Sequence, residues 1–197
     1  MIKRSFDIIF SFLGIILLFP LFIIVSILIK LDSSGPVFFL QKRVGLNGKL
    51  FKIIKFRSMK KDHNSLLTVT LKNDKRITRI GKKLRKYKID EVPELFNVLV
   101  GDMSFVGPRP DVPGYADLLK GNDRNILKLR PGITSLASIK YSNEEQLLLQ
   151  HKDPIAYNND VIFPDKVRMN LNYYENNNIW IDIKIIFATL CSVLYKI

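Results

Sequence analysis

The sequence predicts an α+β fold, mainly helical, with a proline-broken apolar helix at the start, a short β-hairpin and amphipathic helices. Three observations carry this expectation. The 22 residues from Ile8 to Ile29 hold no charge and are interrupted only by Ser11, Gly14, Pro20 and Ser26. Two short runs of strand-forming residues flank Gly45-Leu46-Asn47-Gly48. Further on, Ile77, Ile80, Leu84 and Tyr87 recur at helical spacing among basic residues. With 197 residues, 47% of them hydrophobic, the chain has room for one packed domain and too little for two comfortable ones. It divides by composition into an apolar segment, 1–32, and a mixed remainder, 33–197.

The first segment has the length of a membrane span, since about 20 apolar residues cross a bilayer as a helix. Lys3 and Arg4 precede it as they would a secretory signal, yet Leu31-Asp32-Ser33-Ser34-Gly35-Pro36 offers no small-x-small cleavage site, so no signal peptide is expected. Pro20 sits near the middle and removes a backbone hydrogen bond there. Basic residues flank both ends, Lys3 and Arg4 before and Lys30 after, which suits a helix that enters, breaks and returns. A straight anchor with a tolerated proline fits the same residues. In the re-entrant case the backbone groups freed at Pro20 need partners such as Ser11, Ser26 or neighbouring protein.

Val37-Phe38-Phe39-Leu40 and Leu50 to Phe56 are the expected strands, and Gly45 to Gly48 the turn between them. The stretch from Gln41 to Lys88 holds 17 basic residues and two acidic ones; it carries +15 of a net +13, so the rest of the chain sums to −2. An anionic partner is implied: a phosphorylated substrate, a lipid surface or nucleic acid. Pro93 is placed to open a helix from Glu94 to Val100, and Gly107-Pro108-Arg109-Pro110 to form a stiff loop. The apolar run Ile185 to Tyr195, preceded by Trp180, is too short to cross a membrane and reads as interfacial or core. Cys191 is the single cysteine, which rules out an internal disulfide framework and fits a reducing compartment.

Asp90-Glu91 follows the basic block and precedes the helix that Pro93 opens. The helix dipole and basic neighbours are expected to keep both carboxylates ionised. An ionised carboxylate can attack phosphorus and can bind Mg²⁺, although acids in a first turn more often serve only the dipole. Arg109, on a backbone stiffened by two prolines, suits a phosphate clamp. Lys55 and Arg57 share a face if that segment is extended, where they would bind a diphosphate or line a solvated strand. No Walker-type loop, G-x-G-x-x-G motif or H-E-x-x-H is present, and His63 and His151 stand alone.

Taken in order, Lys3-Arg4-x-x-Asp7, the Pro-broken segment, Gly35-Pro36-Val37-Phe38-Phe39, Gln41-x-Arg43-x-Gly45 and Lys55-Phe56-Arg57-Ser58-Met59 resemble the bacterial monotopic phosphoglycosyl transferases, or bacterial sugar transferases. Arg76-Ile77-Thr78, Arg85 before Asp90-Glu91-Val92-Pro93, Gly101 through Pro110, and Arg130-Pro131-Gly132-Ile133-Thr134 extend the resemblance over nearly the whole chain. It implies a re-entrant membrane helix broken at Pro20 and interfacial helices around an active site on the cytoplasmic face of the bacterial inner membrane. At this length the chain resembles the minimal form of the family.

The resemblance also implies transfer of a sugar 1-phosphate from a UDP-sugar to polyprenyl (undecaprenyl) phosphate, in two ping-pong steps, as the first membrane step of glycoconjugate synthesis. Asp90 matches the nucleophile and Glu91 the partner carboxylate, the two together holding Mg²⁺. Lys55, Arg57, Arg85 and Arg109 are candidates for neutralising phosphate, with Asp165 as a further site carboxylate or an ordinary helix cap. Anionic membrane lipids, and not nucleic acid, then account for the basic block. Two departures stand out. Ser135 to Asn143 replaces a Gly-x-Ala-Gln-Val-x-Gly-Arg-Asn run of many relatives, so sugar preference does not carry over. Phe19 stands where many relatives have serine before the membrane proline.

Overall fold

The computed structural model describes residues 2–60 and 76–194. Lys61, His63, Lys72 and Lys75, with Asp62 and Asp74, fall outside the described residues, so part of the basic block does too. The described residues are mainly helical and include a short antiparallel hairpin, as expected.

Helices α1 (Ile2–Leu17) and α2 (Phe19–Asp32) meet at Leu18 with a 59° bend. Pro20 lies in the first turn of α2, where its missing N–H is least costly. The backbone stays largely satisfied through the bend: Leu18 N donates to Gly14 O (2.9 Å) and Phe22 N to Leu18 O (3.0 Å). Ser11 and Ser26 do not serve the break; their hydroxyls donate back to Ile8 O and Phe22 O. No single helix among the described residues is long and apolar enough to cross a membrane, whereas this bent pair is by length and composition. Both legs leave large apolar side chains exposed, including Phe12, Leu13 and Leu17 on α1 and Ile23, Ile24 and Ile27 on α2.

Opposite its exposed face, α1 is fastened to the rest of the protein by charged side chains. Arg4 donates to the C-terminal carbonyls of Val98 (2.6 Å) and Leu99 (2.8 Å) in α4 (Glu94–Val100). Asp7, 2% exposed, accepts from Ser104 Oγ and Phe105 N. Lys3 reaches Val106 O, Tyr173 OH and, at 2.5 Å, Asp182 Oδ2. On the α2 side, Phe22, Val25 and Ile29 pack with Phe56 and Leu84.

The hairpin pairs β1 (Phe38–Val44) with β2 (Leu50–Phe56), Phe38 opposite Phe56 and Val44 opposite Leu50. β1 runs four residues beyond the expected strand, because ladder pairing carries the polar Gln41-Lys42-Arg43 along. The turn holds Asn47 at φ 56° and Gly48 at φ 78°, left-handed values that Asn and Gly tolerate. Thr78 caps α3 (Arg79–Lys86), and Asp32 at the end of α2 accepts from Ile80 N (2.9 Å). Ile80 and Leu84 of the expected stripe turn inward, Ile77 bridges to Met59, and Tyr87 is exposed beyond the last turn.

A second, two-stranded parallel sheet pairs β3 (Ser104–Val106) with β4 (Gly132–Thr134). Short helices α5 (Leu136–Lys140), α6 (Glu144–Leu149) and α7 (Pro154–Tyr157) lead through a π-helical turn into α8 (Phe163–Asn176). The last helix, α9 (Ile179–Leu194), buries Ile185 against Val106 and Tyr173 and leaves Trp180, Phe187 and Leu190 exposed.

Candidate active site

Asp90 and Glu91 lie in a single 3₁₀ turn, Ile89–Glu91, between α3 and α4. The turn opens on Lys88 at φ 57°, a left-handed conformation that costs a lysine about 1 kcal/mol. That kink lets the chain leave α3 and re-enter a helix at Pro93 within a few residues. Asn97, 1% exposed on α4, fixes the neighbouring strand: it accepts from Ile54 N (2.9 Å) and donates to Lys52 O (2.8 Å). β2 is thereby stapled to α4, and Lys55 is held over the carboxylates.

The resulting cluster is a chain of alternating charge. Lys55 Nζ stands 2.7 Å from Glu91 Oε1 and 3.1 Å from Glu94 Oε1. Arg109 closes on the other side, with Nη2 2.5 Å and Nη1 3.5 Å from the two Glu91 oxygens. Its loop is tied at both edges: Arg43 donates to Pro110 O, Val44 N to Asp111 O and Gly132 N to Pro108 O. Arg109 remains half-exposed, so its outer edge is open to a ligand.

The two adjacent acids differ. Arg109 and Lys55 outweigh burial at Glu91 and hold its carboxyl well below the usual range. Asp90 departs from the expectation that both would be ionised with ease. Its pKa is raised, chiefly by burial (7% exposed) and then by the Glu91 charge, against the opposing pull of Lys55, Arg85 and Lys88. Among the described residues Asp90 Oδ1 finds no hydrogen-bond partner. Among the described residues no group of three or more His, Cys, Asp or Glu is placed to hold a metal, so a cation here would rest on this pair of carboxylates.

The structure thus brings Asp90, Glu91, Lys55, Arg109 and Arg85 together. It places two other candidates elsewhere. Arg57, 5% exposed, donates to Ser34 O (2.7 Å), Ser33 O (2.6 Å) and Ser33 Oγ (3.0 Å). β2 ends at Phe56, and the buried guanidinium is spent on carbonyls at the end of α2 instead of a diphosphate. Asp165, in the first turn of α8, accepts from Lys140 (2.6 Å) and Tyr141 (2.7 Å) and pairs with Arg168, which makes it a separate ionic cluster.

Glu94 is the residue that sequence reasoning missed. It is 1% exposed, and burial raises its pKa to about 7 from 4.5 despite Lys55. A buried acid in a first turn looks like any dipole partner until Lys55 is placed beside it. Below about pH 4.5 Glu94 is protonated whether folded or not; as pH rises toward 7 the folded state holds the proton more tightly, so stability is lost across that window. Glu94→Gln is expected to raise the thermal midpoint above pH 7, by up to about 3 kcal/mol of stability, and to match wild type near pH 4.5. Thermal melts across pH check this; parallel curves would overturn it.

Residues 1–196 of the 197 match the family model described as bacterial sugar transferase. The chain belongs to the bacterial sugar transferase family. Its relatives include the undecaprenyl-phosphate glucose phosphotransferase of Komagataeibacter xylinus, 42% identical over 98% of this chain and 36% of that protein. The UDP-glucose:undecaprenyl-phosphate glucose-1-phosphate transferase of Escherichia coli is 36% identical over 96% of this chain and 39% of its own length. The exopolysaccharide production protein PSS of Rhizobium leguminosarum bv. phaseoli is 39% identical over 99% of this chain and 96% of its own. This bacterial sugar transferase chain therefore spans well under half of the first two relatives and nearly all of the third.

Proposed function

We propose that this chain transfers a sugar 1-phosphate from a UDP-sugar to undecaprenyl or a similar polyprenyl phosphate, through a phosphosugar carried on Asp90. The observation that carries the reading is the buried, unpartnered Asp90 Oδ1 beside a Glu91 that Lys55 and Arg109 clamp. The names of the relatives supply the substrate classes.

In the first step an Asp90 oxygen forms a bond to the β-phosphorus, and the bond from that phosphorus to the bridging oxygen breaks. UMP departs with the electron pair. In the second, an oxygen of the polyprenyl phosphate forms the new diphosphate bond and the aspartyl oxygen leaves, regenerating Asp90. Poor solvation makes the Asp90 carboxylate a stronger nucleophile once ionised. Arg109, Arg85 and Lys55 offer fixed positive charge where phosphoryl charge shifts, the main requirement of such transfers.

The donor chemistry fits Mg²⁺: two adjacent carboxylates, one with a free buried oxygen, suit a hard cation that completes its shell with phosphate and water. Glu91 and Asp90 would hold it, and when bound it supplies charge neutralisation at the diphosphate. The bent α1–α2 pair, apolar on its outer faces with Lys3, Arg4 and Lys30 at its open end, supports a re-entrant seat at the cytoplasmic face of the inner membrane, among anionic lipids.

Incubation with Mg²⁺ and a panel of UDP-sugars, without lipid acceptor, tests the reading. Intact-protein mass is expected to rise by one phosphosugar with the preferred donor, and UMP to appear in equal amount. UMP release without an adduct, in the presence of both substrates only, would remove the covalent route; no release with any donor would remove the function.

A further inference from the structure

We infer that Phe39 is the point at which the isoprenoid chain of the acceptor lies against the protein, directly beside the reacting carboxylates. The inference rests on the reading above and adds to it where the acceptor's hydrocarbon part is held.

The register of the hairpin puts Phe39 opposite Lys55. Residues directly opposite in an antiparallel pair project from the same face with Cβ atoms about 5 Å apart. Lys55 reaches from that face to Glu91 at 2.7 Å, so Phe39 shares a face with the side chain whose ammonium pairs with the carboxylate next to Asp90. Phe38, on the opposite face, stacks on Phe56 at 5.5 Å and has an internal reason to be aromatic. Phe39 has none: it is 46% exposed, and among the described residues no ring packs on it.

The chain around Phe39 leads back to α2. Two residues earlier, Val37 packs on the cluster formed by Phe22, Val25 and Ile29 of α2, and Val37 O accepts from Arg57 N. Beyond it α2 exposes Ile23, Ile24, Ile27, Leu28 and Leu31. A chain leaving a phosphate at Asp90 and Arg109 over Phe39 would lead on toward Val37 and the apolar side chains of α2. The uracil of a donor can stack on a single ring, but no part of a nucleotide sugar profits from the apolar residues that follow it. The polyprenyl phosphate does, because its head is charged and everything after it is hydrocarbon.

The test separates the two half-reactions in the full chain, held in lipid nanodiscs. For Phe39→Ala, phosphosugar loading from the UDP-sugar without acceptor should equal wild type, while the KM for polyprenyl phosphate rises about tenfold, the loss expected when half a phenyl ring can no longer be covered. Phe39→Leu should restore the KM to within about threefold, since an apolar side chain of similar reach returns. An unchanged acceptor KM in Phe39→Ala would overturn the inference. So would an equal fall in loading and transfer, which is the signature of a ring that merely touches bulk lipid or supports the fold. Absence of loading in wild type would sink the underlying function, and this inference with it, before any substitution is made.

Discussion

Asp90→Asn is expected to stop phosphosugar loading, with UMP release at least about a thousandfold below wild type, while the protein becomes slightly more stable. The first half follows from chemistry: an amide oxygen is a poor nucleophile toward phosphorus, and removing a covalent nucleophile typically costs three or more orders of magnitude. The second half follows from burial. Asp90 is 7% exposed, its Oδ1 is unpartnered, and desolvation with the Glu91 charge raises its pKa. Its folded pKa lies above the unfolded one, so ionisation destabilises the fold as pH rises through that range, and a neutral amide of the same shape escapes the cost. Mass spectrometry of the loaded protein and thermal melts at pH 8 read the two halves separately. Retained loading would assign the nucleophile elsewhere; a large drop in midpoint would show that the substitution acts through folding.

Gly107→Ala is expected to cost several kcal/mol and to lower transfer more than tenfold at temperatures where the variant is still folded. A Cβ at Gly107 would stand 2.1 Å from Arg130 O, and one at Gly132 would stand 2.1 Å from Gly107 N, so the two glycines let β3 and β4 approach backbone to backbone. A neighbouring backbone cannot yield as a flexible side chain can, and overpacking of this kind commonly costs 1–3 kcal/mol or more. The next residues are Pro108, Arg109 and Pro110, so the shift passes into the loop that sets Arg109 on Glu91. Thermal melts and steady-state transfer assays check both effects. Wild-type stability would show that the strands separate without strain.

Much of this arrangement is legible in the sequence because it is local. Gly45 to Gly48 announces its turn, Leu50 to Phe56 its strand, and Pro93 the helix from Glu94 to Val100. The pairing of Glu91 with Arg109 was legible only as two motifs suited to phosphate, since nothing local says they meet. What stayed hidden depends on contacts distant along the chain. The β3–β4 pair joins three-residue strands that carry no periodic signal, across an interval from Val106 to Gly132. Arg57 reads as a phosphate ligand until the end of α2 arrives beside it. Glu94 reads as a helix-dipole acid until β2 lowers Lys55 onto it. Asp90 was expected to ionise readily because burial, the opposing influence, is a property of the folded chain alone.

Arg4 grips the last carbonyls of α4, and Arg57 the carbonyls of Ser33 and Ser34 just past α2. α4 starts just after the carboxylates, and Arg57 follows Lys55 by two residues. Seated in a bilayer, the bent pair would then act as a depth gauge: the altitude of Asp90 above the hydrocarbon would be set by two guanidinium bolts, leaving the reacting oxygen unable to bob independently of its anchor. A lipid-borne phosphate, confined to a fixed plane of its own, would meet it at the same height in every turnover.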